Sequence, residues 1–132
     1  MNTTSQEKEL ERAKSQAKCQ LESIQEMVKA LDTEDDAKRE AATETIREDA
    51  LEVSVRSDWH EPGAEQEITE YKILLCTGGP AVRIVGDLDR YHEPENATLE
   101  YQDWYTPWTE YRLDSEEEAA VVKYAQQFYF GE

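Results

Sequence analysis

Apolar positions recur at helical spacing through the first fifty residues and at strand spacing after them. Leu10, Ala13, Ala17, Leu21, Ile24, Val28 and Leu31 fall three and four residues apart, one narrow stripe along a helix. Thr4-Ser5-Gln6-Glu7 fits a capping box that opens it. The first half of the stripe is alanine, which predicts thin packing there. Leu31-Asp32-Thr33-Glu34 breaks the pattern, and Thr33, with Asp36 three residues on, predicts the cap of a second helix through about Ala50. That helix is apolar only at Ala37, Ala41, Ala42, Ile46 and Ala50. Residues 1–50 therefore read as a polar helical hairpin or one bent helix. Such an arm must lean on the rest of the chain or on another copy, as a homodimer through the N-terminal helices.

From Leu51 the period becomes two. Leu51, Val53 and Val55 alternate with Glu52, Ser54 and Arg56, the pattern of a strand with one buried face. His60-Glu61-Pro62-Gly63 turns the chain. A second strand runs from about Ile68 to Cys76. Thr77-Gly78-Gly79-Pro80 is a tight connection, and Ala81 to Leu88 is a third strand. After the polar loop Asp89 to Asn96, residues Ala97 to Trp104 alternate again. Four strands with short connections predict an antiparallel meander in sequential order. Asp114-Ser115-Glu116-Glu117-Glu118 then opens a last helix, with Ser115 as cap and Glu118 closing the box. Its inner face is either Ala119, Val122 and Gln126 or Val121, Ala125 and Phe128. The predicted class is α+β: an N-terminal helical hairpin over 1–50, and over 51–132 a four-stranded antiparallel meander with a C-terminal helix packed on one sheet face, one domain overall.

Composition complicates that picture. Hydrophobic residues are 38% of the 132 and charged residues 34%, against about 45–50% and about 25% in ordinary domains. All seven tyrosines and Trp59, Trp104 and Trp108 lie after position 50, however, so the second half carries a core that disordered chains lack. Cys19 and Cys76 are far apart and do not form a disulfide framework, which fits reducing cytoplasm. No basic-then-apolar leader opens the sequence and no apolar run reaches a membrane span. The expectation is a cytoplasmic protein.

Charge is the largest deviation. Thirty-one acidic residues against fourteen basic ones give a net −17. Residues 1–50 hold 13 acids and 8 bases, and residues 51–132 hold 18 and 6, so the surplus lies on the predicted core. Such a field repels nucleic acid and anionic membranes and attracts basic surfaces.

Candidate chemistry is sparse. The meander places loops 60–66 and 89–96 at one end of the sheet, gathering Asp58, His60, Glu61, Asp87, Asp89, His92 and Glu93. Histidines with carboxylates can hold a transition metal, but no His-x-x-x-His or Glu-x-x-His spacing occurs, and hydrated loops hold such residues anyway. No metal or other cofactor is expected. Gly78-Gly79 lacks the Lys-Ser/Thr and helix of a phosphate loop. No nucleophile motif appears and Cys76 ends an apolar strand, so no catalytic residue and no enzyme are expected.

The most unusual segment is Gln102-Asp103-Trp104-Tyr105-Thr106-Pro107-Trp108-Thr109-Glu110-Tyr111, near the Gly-Gly turn. Its aromatics either fold under the last helix or form a binding surface, with Trp104 and Trp108 partly buried and Tyr105 and Tyr111 more exposed. Acids beside rigid aromatics suit a basic groove. The expected partner contact is Glu100, Asp103, Tyr105, Glu110, Asp114, Glu116 and Glu117.

In size, acidity and lack of catalytic motifs the chain resembles the small phage-encoded inhibitors of host defence, the anti-CRISPR and anti-restriction DNA mimics. The resemblance implies a protein that blocks a basic nucleic-acid-binding partner, a CRISPR effector or restriction component, in a host bacterial cytoplasm. Two other functions stay open at this point. One is an interaction module whose acidity is only solvation, against which seven lysines equal to seven arginines argue mildly. The other is a metal-dependent or small-ligand enzyme at the loop end. A continuous acidic surface, a uniform spread of charge and a concave pocket with convergent histidines separate the three.

Overall fold

The computed structural model describes residues 5–57, 59–64, 67–103 and 106–130. Among them the chain forms helices α1 (Ser5–Lys29), α2 (Asp36–Asp49) and α3 (Ser115–Ala125), and strands β1 (Glu52–Ser57), β2 (Ile68–Cys76), β3 (Ala81–Asp87), β4 (Thr98–Gln102) and β5 (Thr109–Tyr111). The strands make one antiparallel sheet in the order β1-β2-β3-β4-β5. The α+β class and the meander hold, with five strands where four were expected. The added strand has only three residues, too few for a period-two pattern to register. It pairs Leu99 with Tyr111 and Tyr101 with Thr109.

One face of the sheet carries the core. Tyr71, Ile73 and Leu75 of β2, Val82 and Ile84 of β3, and Leu99 and Tyr101 of β4 are buried there. α1 crosses β3 and β4 and lies along α3, burying Ala13, Ala17, Leu21 and Ile24 almost completely. The alanines, expected to pack thinly, are fully buried. The stripe expected to lean on the rest of the chain or on a second copy is thereby filled within the chain. The apolar side chains of residues 1–50 join the same core as those of 51–132.

α3 resolves the choice of inner face in favour of Val121 and Ala125, with Tyr124 beside them. The buried Tyr124 hydroxyl donates to Asp49 Oδ2 at 2.6 Å, tying α3 to the end of α2. Burial, and then that bond and charge, raise the Tyr124 pKa above the ordinary tyrosine range. Two caps fall one or two residues from their expected places. Asp35, not Thr33, caps α2, accepting from the N–H groups of Ala37 and Lys38, while Thr33 Oγ1 accepts from Asp35 N–H. Asp114, not Ser115, caps α3. Aspartate is as good an N-cap as serine, so neighbouring candidates compete on geometry alone. The expected first cap, at Thr4, lies outside the described residues. No helix among the described residues is long and apolar enough to cross a membrane.

Candidate functional site

The two ends of the sheet differ in chemistry. At one end, the β2–β3 turn Thr77-Gly78-Gly79-Pro80 and the segment Thr106-Pro107-Trp108-Thr109 contain no charged residue. At the other end, the β3–β4 connection carries Asp87, Asp89, Glu93 and Glu95 against Arg90. β5 runs back toward that end, so α3 begins there with Asp114, Glu116, Glu117 and Glu118.

The connection is held by its own carboxylates. Asp89 Oδ1 accepts from the N–H groups of Tyr91 at 2.8 Å and Glu93 at 3.1 Å. The backbones of Asp89 and Glu93 bond as well, and Leu88 bridges Pro94, both buried. His92 takes the left-handed conformation, φ 63°, at the loop tip. Asn96 clasps Asp87, its Oδ1 accepting from Asp87 N–H at 2.9 Å and its Nδ2 donating to Asp87 Oδ2 at 2.8 Å. Below it, the Tyr71 hydroxyl donates to Asn96 O at 2.7 Å. Only glycine fits at position 86, where a Cβ would lie 2.3 Å from Asn96 O and 2.7 Å from the Tyr71 ring. With Asp89 and Asp87 holding the loop, Glu93 and Glu95 are left exposed to solvent.

The first turn of α3 divides its acids in the same way. Asp114 Oδ1 accepts from Glu117 N–H at 2.8 Å, and Glu117 Oε1 accepts from Asp114 N–H at 2.9 Å. Glu116 and Glu118 are exposed, at the end of the helix dipole where negative charge is favoured. Burial raises the Tyr71 pKa above the ordinary range, and the charges of Asp87 and Glu118 raise it further. Two carboxylates from different elements thus act on one hydroxyl. At the other end of α3, the C-cap Gln126 donates from Nε2 to Pro94 O at 3.5 Å, tying the loop to the end of the helix.

The residues expected to touch a partner are scattered. Glu116 belongs to the acidic end, and Asp114 and Glu117 reach it as the capping pair. Glu100 lies on the uncovered sheet face, accepting from Arg83 Nε at 2.7 Å, with Arg83 stacked over Trp108 at 4.0 Å. Exposed Glu110 is directly across from Glu100. Asp103 is a correction, because it is only 2% exposed and faces inward. It follows Tyr101 by two residues, so the alternation that buries Tyr101 buries it too. Its N–H donates to Thr106 Oγ1 at 2.9 Å, closing the turn after β4. Tyr105, like Trp104 and Asp58, lies outside the described residues. Trp108 and Tyr111 are both half-buried.

His60 and His92 do lie at the loop end, His60 exposed and His92 half-buried. Among the described residues no group of three or more His, Cys, Asp and Glu is placed to hold a metal ion. One further feature is not among the sequence expectations. The uncovered sheet face forms a shallow cavity of about 550 Å³ lined by Arg56, Lys72, Arg83, Glu70, Asp87 and Glu100 among others. Arg56 pairs there with Glu70 across strands. Three cations and three carboxylates leave it without net bias, unlike the acidic end. Its signal in the sequence is the alternating Glu70 and Lys72, whose cross-strand partners need the register to be identified. No family model, curated protein or solved structure matches this chain.

Proposed function

We propose that this chain is a non-catalytic binding protein that presents its acidic end to the basic surface of a nucleic-acid-binding protein, as a DNA mimic. The observation that carries the reading is the gathering of carboxylates from loop 87–96 and from residues 114–118 at one end of the sheet. These two segments hold eight acids and one base. Exposed Asp87, Glu93, Glu95, Glu116 and Glu118 form the contact, with Tyr91 beside them.

Physical chemistry favours such a surface. Duplex DNA presents one charge per about 1.7 Å, and a groove lined by Lys and Arg answers that density with charge of the opposite sign. The carboxylates here stand on elements fixed by their own hydrogen bonds, so binding orders little that is not ordered already. A field of this size steers basic partners and speeds association. The resemblance in size and acidity to anti-CRISPR and anti-restriction inhibitors points to a CRISPR effector or a restriction component. That partner sets the site of action in a bacterial cytoplasm, the host's if the chain is phage-encoded.

The test is capture of proteins from a bacterial lysate on the immobilised chain, followed by elution with duplex DNA. A captured nucleic-acid-binding protein released by DNA supports the reading. Capture that DNA does not disturb, or that persists from about 0.1 M to about 1 M salt as the Debye length falls from about 10 Å to about 3 Å, contradicts it.

A further inference from the structure

The outer strand β1 lies apart from the acidic end's loop 87–96 and helix start in sequence. β1 pairs on one side only, with β2. Among the described residues the exposed large hydrophobics are Leu51, Val53, Val55, Trp59, Tyr91 and Tyr129. Four of the six fall within 51–59, on β1 or at its ends. Val53 and Val55 point to the core side of the sheet, opposite Ile73 and Tyr71, yet stay 38% and 40% exposed because the helical layer stops short of them. Proteins usually blunt such an edge with a bulge, a proline or an unmatched charge. No bulge or proline interrupts β1, and its two charges, Glu52 and Arg56, both lie on the uncovered face. The register shifts beside it place the extra residues, Thr69 and Leu75, on β2 and leave β1 regular. The opposite edge, β5, has three residues and offers little to pair with.

We propose that β1 is a homodimerisation edge, pairing antiparallel with β1 of a second copy about a twofold axis at Ser54. The sequence of β1 is self-complementary in that register. Glu52 meets Arg56 of the second copy, twice, on the uncovered face. Val53 meets Val55 of the second copy, twice, on the core side, where Leu51 extends the apolar seam. Directly opposed residues share a face and interact, so both kinds of pair stabilise. Slipping by one residue puts valines opposite polar residues, and slipping by two leaves the charges opposite serine or beyond the strand. The edge's own charges, Glu52 and Arg56, therefore guard it against other strands but not against itself. β1 is also neutral in a chain of net −17. The long-range repulsion between copies is screened by salt, so this association strengthens as salt rises, opposite in sign to partner binding at the acidic end.

The test maps the register in the full chain. Cys19 is an exposed free thiol, so C19S is the background. In S54C/C19S the two introduced thiols face each other and form an intermolecular disulfide under mild oxidation. In E52C/C19S they are four residues apart along the strand, about 13 Å, beyond the roughly 7 Å between Cα atoms that a disulfide spans. A second measurement uses sedimentation at raised salt. E52R and R56E each place like charges opposite each other and dimerise at least about tenfold more weakly than wild type. Mixed together they restore opposite charges and form the heterodimer. Equal cross-linking at positions 52 and 54, or a wild-type chain that stays monomeric at all concentrations, or a mixture no stronger than its components, overturns the proposal.

Discussion

The two ends of the sheet are built from similar parts and reach opposite surfaces. Each end joins strands by a short connection containing left-handed backbone, Gly78 and Gly79 at one, His92 at the other. The uncharged end closes on Thr106, Pro107 and a half-buried Trp108, whereas the other end exposes six carboxylates over loop 87–96 and the start of α3. α1 is a third reference, with five acids and five bases over Ser5–Lys29. Acidity serving only solvation has no reason to spare the turns at one end of the sheet and to be balanced by bases along the longest helix. Segregation of charge within one small molecule is what an interface requires.

That contrast can be broken in several ways, the strongest first. Reversing Asp103, buried under the uncharged end, puts a lysine into the core. D103K lowers unfolding stability by more than about 3 kcal/mol, whereas E110K, exposed on β5, changes it by less than about 0.5 kcal/mol. Urea denaturation measures both, and equal effects would place Asp103 at the surface. Next, Gly86→Ala forces a Cβ against Asn96 and Tyr71 at the acidic end, costing about 2–3 kcal/mol. Gly78→Ala at the other end meets open space, and the strain of φ +96° alone costs about 1 kcal/mol. A reversed order would mean that the loop, not the turn, yields freely.

Much of this architecture is legible in the amino-acid sequence. The change of period at Leu51, the strand order and the acid-rich cap of α3 follow from spacing alone. The side chains that depart from expectation are instructive because each follows a rule that another overrides. Val53 and Val55 alternate as a half-buried strand should, but an edge strand beyond the helices stays exposed. Ala13 and Ala17 suggest weak packing, but both are fully buried. Asp103 reads as surface from its polarity, although Tyr101 two residues earlier already sets its direction. The acidic end is hidden for a different reason. Its two halves are about twenty residues apart, and only β5, invisible at three residues, turns the chain back so that they meet.

Smaller effects sharpen the account of what holds the acidic end in place. Tyr124→Phe removes the bond to Asp49 and costs about 1–2 kcal/mol. Tyr71 and Tyr124 both have raised folded-state pKa values, so above the unfolded tyrosine value, about 10, the unfolded chain has lost protons that the folded chain keeps. Their contribution is complete below that pH and declines above it. Thermal unfolding of wild type then shows a fall in stability above about pH 10 that is shallower in Tyr124→Phe; a profile flat to about pH 11 would mean that neither hydroxyl is held protonated. Asp114→Ala removes the cap of α3, costing about 1 kcal/mol, and loosens the helix start that presents Glu116 and Glu118.

The central claim, that position and not quantity of charge makes the surface, is tested most directly by two charge-matched variants. E93Q/E95Q/E116Q/E118Q neutralises the acidic end, and E22Q/E26Q/E40Q/E44Q neutralises four exposed helical positions on α1 and α2. Both take the net charge from −17 to −13. Binding of each to the DNA-releasable protein captured from lysate is titrated at about 0.1 M salt. The account predicts at least about a tenfold loss of affinity, roughly 1.4 kcal/mol, for the first variant and less than about twofold for the second. Equal losses would show that the acidity acts only as bulk charge, and the acidic end would then not be the binding site.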